Sequence, residues 1–511
     1  MQYEPVIGLE VHAELATRSK MFCACQVIDS VQARPNVAVC PVCAGMPGVL
    51  PVLNQKAVEF GLRVALALEC QVAHTSIFAR KNYFYPDLPK GYQISQYEYP
   101  LAEHGILRVP APEGRPEGGA QGERTTRTER ATRTERVVRI RRVHLEEDTG
   151  KLTHVTRENE SFSLVDLNRA GVPLLEIVSE PDMHSPEEAR AYAMELRTLL
   201  RCLGVNSGDM EKGVIRFEAN VSLRPAGSTE LGTRVEIKNL NSFRALERSC
   251  AYEIQRQAQR LDQGEKIVQE TLGWDEANGV TLSQRSKEEA HDYRYFPEPD
   301  LPPLVVEKEW VDRLAADLPE LPRPKALRLQ QQYGLAEGDA RLLAEDSAVA
   351  DYFEKAVQAA PLAPPRTVAK WITGELFGWL NQNAKTIEQI KVSPQELGKL
   401  VNLAGSGEIN LGTAKTVLAE MLSSGQPAQA IITAGNRQQV SDSDIIAGLV
   451  KKALAENPQE LSSYLDGKET LANWFFGQVM RFARGQANPQ VVRQELEKQL
   501  QELKNKYLSE N

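Results

Sequence analysis

Residues 6–15, VIGLEVHAEL, alternate without a break between apolar and polar side chains. Ile7, Leu9, Val11, Ala13 and Leu15 fall on one side of an extended chain, and Glu10, His12 and Glu14 on the other, because successive side chains of a strand point to opposite faces. A strand that packs its apolar side on a core therefore holds two carboxylates and an imidazole in a row on its open side. Hard oxygen ligands with one nitrogen suit a divalent cation such as Mg²⁺; a solvated sheet face with a chance histidine is the alternative. Other strands repeat the pattern. In 215–224, IRFEANVSLR, the apolar set Ile215, Phe217, Ala219, Val221, Leu223 opposes Arg216, Glu218, Asn220, Ser222, Arg224. In 233–240, TRVEIKNL, Val235 and Ile237 oppose Arg234, Glu236 and Lys238. A solvated face usually mixes Lys, Thr, Ser and Gln, so repeated Glu, Asn and Arg point instead to a concave site for a metal and phosphates.

The 511 residues are enough for about three domains. With 42% hydrophobic and 25% charged residues, the chain reads as an ordinary soluble globular protein. It has no long apolar run for a membrane span, and MQYEPVIGLE has neither the basic nor the apolar region of a secretory signal. A cytoplasmic location is expected, or an organellar one whose transit peptide is not in this chain. The net charge of −9 means that a nucleic-acid partner requires a local basic patch. Of seven cysteines, Cys23, Cys25, Cys40 and Cys43 form C-x-C followed by C-x-x-C. Without an export signal this spacing reads as a metal site. Four thiolates favour a closed, structural tetrahedral Zn²⁺, with an iron–sulfur cluster as the alternative. Cys70, Cys202 and Cys250 read as core residues.

Residues 1–295 read as one large β-rich α/β domain. A helix is expected around Ala57, Phe60, Val64 and Leu68. The stretch 80–100, RKNYFYPDLPKGYQISQYEYP, carries prolines that forbid a long helix or central strand, so it must be an ordered loop or short edges. Its tyrosines, flanked by Arg80, Lys81 and Lys90, either stack on bases or pack on their own sheet. Residues 111–136, with TRTER twice, are a low-complexity insertion. A strand over 137–145 then delivers HLEEDTGK, placing Glu146, Glu147 and Asp148 at its end, either as a metal site or as a polar hairpin tip. Residues 161–182 show two apolar runs separated by NRAG, a hairpin or a loop crossing. Helices are expected over 185–203, with Ser185 as N-cap and Pro186 at N1, and over 243–263. From about 300 strand patterns stop. Pro-rich connectors at 301–303 and 318–324 precede helices over 339–345, 348–358, 368–381 and 394–403, then a break at 405–407. The rest is helical. Asn488-Pro489 starts the last helix, and Arg481, Arg484, Arg493, Lys498, Lys504 and Lys506 make this end locally basic, which is also what a solvated helix face shows.

Several motifs are missing. There is no P-loop, no Rossmann fingerprint, no nucleophile elbow and no H-E-x-x-H. If the chain uses ATP, it does so with carboxylate-held Mg²⁺ and Arg/Lys contacts to the phosphates.

The segments VIGLEVHAEL, PGVLP, RKNYFYPDLPKGYQISQ, HLEEDTGK, SLVDLNRAGVPLLEIVSEPD, EANVSLRP, EIKNLNSF, DYRYFPEPD and GQANPQ follow one another along the chain. Together they resemble the B-subunit family of the tRNA-dependent amidotransferases, over essentially the whole chain apart from 111–136. The resemblance implies an α/β (α+β) N-terminal cradle on a largely antiparallel sheet (1–295), an all-α helical domain (296–405) and an all-α tail (406–511) that binds tRNA. It implies two partners, an amidase A subunit that hydrolyses glutamine and a small C subunit, with no membrane or DNA partner. The implied substrates are misacylated Glu-tRNA(Gln) and Asp-tRNA(Asn), and the chemistry is ligase chemistry: ATP converts the side-chain carboxylate to an acyl phosphate that ammonia attacks. Carried over to matching positions, Glu10, His12 and Glu147 are the catalytic Mg²⁺-site residues, joined by Glu146, Asp148 and Glu218. Lys81, Arg169, Arg216, Lys238 and Asn239 contact phosphates or the tRNA acceptor end. The cysteine loop occurs in only some members, and here all four ligands are present. Two other classes compete: a non-catalytic tRNA-binding scaffold, which gains nothing by collecting carboxylates in its groove, and a zinc hydrolase, which four cysteines disfavour by leaving no open position.

Overall fold

The structure is a computed structural model that describes residues 2–111, 135–157, 160–286, 293–435, 443–483 and 487–510. Most of the low-complexity insertion, together with Arg484 and the first residues of DYRYFPEPD and GQANPQ, lies outside the described residues. The chain divides into two compact units, Met1–Leu321 and Pro322–Asn511.

The strands of the first unit are β1 (Tyr3–Glu14), β2 (Gln71–Val72), β3 (Thr75–Ser76), β4 (Phe78–Asn82), β5 (Tyr92–Gln96), β6 (Ala102–Pro110), β7 (Glu135–Glu147) and β8 (Lys151–Arg157). They continue with β9 (Glu160–Asp166), β10 (Pro173–Ser179), β11 (Ile215–Pro225), β12 (Val235–Leu240), β13 (Glu270–Asp275), β14 (Val280–Ser286), β15 (Phe296–Pro297) and β16 (Leu304–Val305). Nine of them form one sheet in the order β14-β13-β12-β11-β1-β10-β7-β6-β2. Every neighbour pair is antiparallel except β12 and β13, so the sheet is largely antiparallel as expected.

β1 is the middle strand. Its apolar set Ile7, Leu9, Val11 and Ala13 is buried and shares one core with α1 (Gln55–Ala67), α2 (Pro186–Cys202) and α3 (Phe243–Asp262). Burial of Ile7, Leu9 and Val11 contributes about 1.5–3 kcal/mol each. The helix starts follow local chemistry. Asn54, Ser185 and Ser242 accept hydrogen bonds from backbone N–H groups of the first turns, and Pro186 occupies the first turn of α2.

The two apolar runs of 161–182 do not form a hairpin. β9 pairs with β8 in a separate ribbon, whereas β10 enters the main sheet between β1 and β7, so this segment is the loop crossing. The aromatic stretch supplies β4 and β5, which join β15 in a three-stranded sheet. Arg80 of β4 grips the buried Glu298 with two bonds of 2.7 Å.

The second unit is helical throughout its described residues. A helix already begins at Pro322, inside the expected connector, because proline is tolerated in a first helical turn. The expected 368–381 helix carries a π-type turn at Trp371–Leu376. Two cores form, one built from residues between Ala326 and Ile432 and one from residues between Ile446 and Leu500. No described helix is long and apolar enough to cross a membrane.

Candidate active site on the open face of the sheet

The face of the sheet opposite its helix-covered core carries the charged residues, and the strand register assembles them. His12 of β1 opposes Glu176 of β10 on one side and Arg216 of β11 on the other, and Glu176 in turn opposes His144 of β7. One row of the sheet therefore reads His144, Glu176, His12, Arg216. Glu176 Oε2 lies 3.0 Å from His144 Nε2 and 3.4 Å from His12 Nε2, and Glu146 Oε1 lies 3.8 Å from His12 Nε2. Ser95 Oγ donates to Glu146 at 3.0 Å. Burial alone would raise the Glu176 pKa, but His144 and His12 hold it well below the usual carboxylate range. Burial would lower His12, but its hydrogen bond to Glu176 and the charges of Glu176, Glu218 and Glu146 push it up to about 9.

A second group lies further along β1. Glu10 opposes Glu218 of β11, and with Glu236 of β12 they bring carboxylate oxygens within 4.8 Å of one another. Lys238 Nζ sits 3.0 Å from Glu218 and 3.4 Å from Glu236. A bulge delivers it: Ala219 opposes Ile237 and Phe217 opposes Leu240, so Lys238 and Asn239 share the place opposite Glu218. Asn239 takes the left-handed conformation that the bulge requires (φ 58°) and is exposed. Asn220 Nδ2 donates to Glu10 at 2.9 Å. Burial and the charges of Glu176, Glu218 and Glu236 raise the Glu10 pKa. Burial opposes ionisation of Glu218 too, but Lys238 and His12 keep it low.

At the other end of β1, Asp148 receives Arg216 at 3.0 Å and lies 3.6 Å from Arg169. Arg169 also donates to the carbonyls of Thr149 and Gly150. Burial and the charge of Asp148 push the nearby Glu14 up to about 7. Lys81 overhangs this face from β4, 5.0 Å from the Tyr293 ring. Burial would lower its pKa, but Glu146, Tyr295 and Glu176 raise it.

Glu147 is not brought to His12. It forms a short ion pair with Lys90 and accepts the backbone N–H of Ile94 at 3.0 Å. Glu176, His144 and Glu236 complete the groups without having been singled out as site residues. Glu176 had one signal, as the lone ionisable residue in the buried run PLLEIVS, where an unpartnered carboxylate would be costly.

The spacing about His12 matches the size of a small divalent cation. A cation with bonds of about 2.1 Å spaces its ligand atoms about 3.0–4.2 Å apart. The separations of 3.4 and 3.8 Å about His12 Nε2 fall in that window.

The cysteine loop is a separate centre. Cys25 and Cys43 sulfurs are 3.8 Å apart and those of Cys40 and Cys43 3.7 Å. Tetrahedral Zn²⁺ with bonds of about 2.3 Å spaces its sulfurs about 3.8 Å apart. A hydrogen bond from Cys23 pulls the Cys43 thiol down to about 4, helped by Lys20, while burial pushes Cys25 up to about 11. The four cysteines are compatible with a structural zinc. Their loop is laced to the segment carrying Arg169: Asn36 N donates to Asp166, Ala38 N donates to the Asn168 side chain, and Asn168 Nδ2 donates to the Arg34 carbonyl.

Comparison with known proteins agrees along the chain. The GatB/GatE catalytic domain family matches residues 5–312, and the GatB domain family matches residues 351–500. The B subunit of the aspartyl/glutamyl-tRNA(Asn/Gln) amidotransferase of Thermodesulfovibrio yellowstonii is 49% identical over 98% of this chain and 100% of its own length. Those of Moorella thermoacetica and Roseiflexus sp. are 48% and 46% identical over 98% of this chain and 100% and 99% of their own lengths. The chain belongs to the GatB family, the B subunits of the aspartyl/glutamyl-tRNA(Asn/Gln) amidotransferases.

Proposed function

We propose that the open face of the sheet is where this protein activates the side-chain carboxylate of Glu-tRNA(Gln), Asp-tRNA(Asn) or both. A carboxylate is a poor electrophile because its leaving group would be oxide. In the proposed reaction a carboxylate oxygen attacks the γ-phosphorus of ATP and ADP leaves. Ammonia from the partner amidase, the A subunit, then attacks the acyl carbon, expelling phosphate and leaving the amide after proton loss. The assembly is completed by a small C subunit.

The observation that carries this reading is the group His12, Glu146 and Glu176, whose ligand atoms meet within 4.8 Å on the open face. These residues would hold Mg²⁺, which when bound neutralises phosphate charge. Glu10 and Glu218, one rung away, add negative charge that favours the cation. Asp148 orients Arg216 and Arg169 toward the same face, and these two, with Lys81, Lys238 and Asn239, are our candidates for phosphate or acceptor-end contacts. Glu147 acts from behind, tying the end of β7 to Lys90 and so fixing Glu146 and Asp148 on either side of it. The four cysteines hold Zn²⁺ as a structural centre supporting the Arg169 loop. We divide the chain functionally into a catalytic cradle (1–295), a helical domain (296–405) and a tRNA-binding tail (406–511), the last supported by Arg481, Arg493, Lys498 and Lys504 on or beside the final two helices.

The test supplies ammonium in place of glutamine to the assembled three-subunit enzyme and follows ATP-dependent amidation. Glu146→Gln should reduce the rate about 100-fold or more while binding of the misacylated tRNA stays within about twofold. A rate near wild type would remove the activation site from this face and leave the scaffold reading.

A further inference from the structure

Three of the candidate cations of the open face already share their charge with a carboxylate. Arg216 and Arg169 face Asp148, and Lys238 faces Glu218 and Glu236. A group that must take up a triphosphate needs positive charge not already neutralised by the protein.

Arg142 of β7 is a cation of this face with no ion pair among the described residues. It stands at a bulge: Val178 opposes Arg142 but Ser179 opposes Ile140, so Arg141 is the extra residue. The bulge keeps Ile140 and Val143 both in the core, and it places two arginines in succession between them. Arg141 is clamped by Glu180 at 2.8 and 3.1 Å. Arg142 has no carboxylate within 4.0 Å among the described residues, and its Nε is buried with no hydrogen-bond partner. Its guanidinium lies 5.7 Å from the ring of Tyr97, and Tyr97 is stacked on Tyr295 with centroids 4.1 Å apart and planes within 5°. The stack restrains a side chain that otherwise has much rotamer freedom to lose. Arg142 is also two residues before His144 on the same strand, a distance of about 7 Å. Its register partners are Val178 of β10, two residues from Glu176, and Glu103 of β6, which stands across from it outside ion-pair distance. A buried guanidinium nitrogen without a partner is costly unless a ligand completes it, and a planar fork of donors matches a phosphate.

We propose that Arg142 binds a phosphate group of the nucleoside triphosphate, beside the His12–Glu146–Glu176 group, with Tyr97 and Tyr295 as its fixed support. The assignment rests on the ATP-dependent reading above and deepens it by naming a cation that neither composition nor motif spacing singled out.

The experiment titrates Mg-ATP into the assembled three-subunit enzyme by calorimetry, without tRNA, and then measures KM for ATP and for the misacylated tRNA. Arg142→Gln should weaken ATP binding about tenfold or more, and Arg142→Lys should weaken it less, because an ammonium keeps the charge but loses the fork. KM for the tRNA should stay within about twofold. Unchanged ATP affinity in Arg142→Gln, with wild type binding normally, overturns this assignment alone. A rise confined to the tRNA KM also overturns it and moves Arg142 to a phosphate of the nucleic acid. If the wild-type enzyme does not bind Mg-ATP, the reading of the whole face fails. If Arg142→Gln lowers the melting temperature, Arg142→Lys decides: normal melting with weakened ATP binding supports the assignment, and normal binding overturns it.

Discussion

The two acidic groups on the open face share residue types but differ in what neutralises them. Around Glu176 the counter-charges are the imidazoles of His12 and His144. Around Glu218 and Glu236 the counter-charge is the ammonium of Lys238. An imidazole can give up a proton and become a ligand itself. An ammonium has three donors and no lone pair to offer, so it competes with a metal for the same oxygens. Neighbouring rungs of one sheet thus yield one group suited to take up a cation and one that already contains its own.

The largest expected effect separates the two groups directly. Glu176→Gln should reduce ammonium-fed amidation about 100-fold or more, and Glu236→Gln less than about tenfold. Rates are compared at saturating tRNA over a Mg²⁺ titration, with a thermal melt of each variant. If Glu236→Gln is the more damaging, the cation belongs to the lysine-neutralised group and the comparison is inverted.

Lys238→Met sharpens it further. Removing the ammonium leaves Glu10, Glu218 and Glu236 with carboxylates within 4.8 Å of one another and without their cation. We expect this group to gain about tenfold in affinity for a divalent ion, equivalent to about 1.4 kcal/mol. Electron paramagnetic resonance of Mn²⁺ reads this as a second bound ion per enzyme where the wild type binds one. A single ion in both proteins would mean that Lys238 is not what keeps the second group closed.

Much of this face was legible in the sequence because its logic is local. Period-two alternation placed Glu10 and His12 on one side of β1 and Glu218 on the matching side of β11, and the Ser185-Pro186 start marked α2. What was not legible depended on pairing between distant segments. The 161–182 segment carries two strands that join different sheets, and nothing within it says that its second strand lies beside β1. Glu176 is therefore invisible as a partner of His12 until the register is known. Consecutive Glu146 and Glu147 show a second reason. Proximity in sequence grouped them, but adjacent strand residues face opposite ways. Leu145 is core, so Glu146 turns to His12 and Glu147 turns to Lys90. Alternation carried that signal, and the density of charge in HLEEDTGK obscured it.

The smallest effects should come from the hydroxyls that hold one carboxylate in each group. Ser95 Oγ donates to Glu146 at 3.0 Å, and Thr271 Oγ1 donates to Glu236 at 2.9 Å. Each removal costs about 1 kcal/mol of hydrogen bonding, so the two variants should melt alike. Their chemistry should differ. A partner that orients a metal ligand typically affects metal affinity by about ten- to a hundredfold, and we place Ser95→Ala at the low end, about tenfold in the Mg²⁺ concentration for half-maximal rate, because Glu146 is also held near His12 and His144. Thr271→Val preserves shape, and its carboxylate already has Lys238, so its Mg²⁺ dependence should stay within about twofold of wild type. Equal shifts in the two variants would mean that both groups contribute to one cation site, and the difference between imidazole and ammonium as counter-charges would then lose its functional meaning.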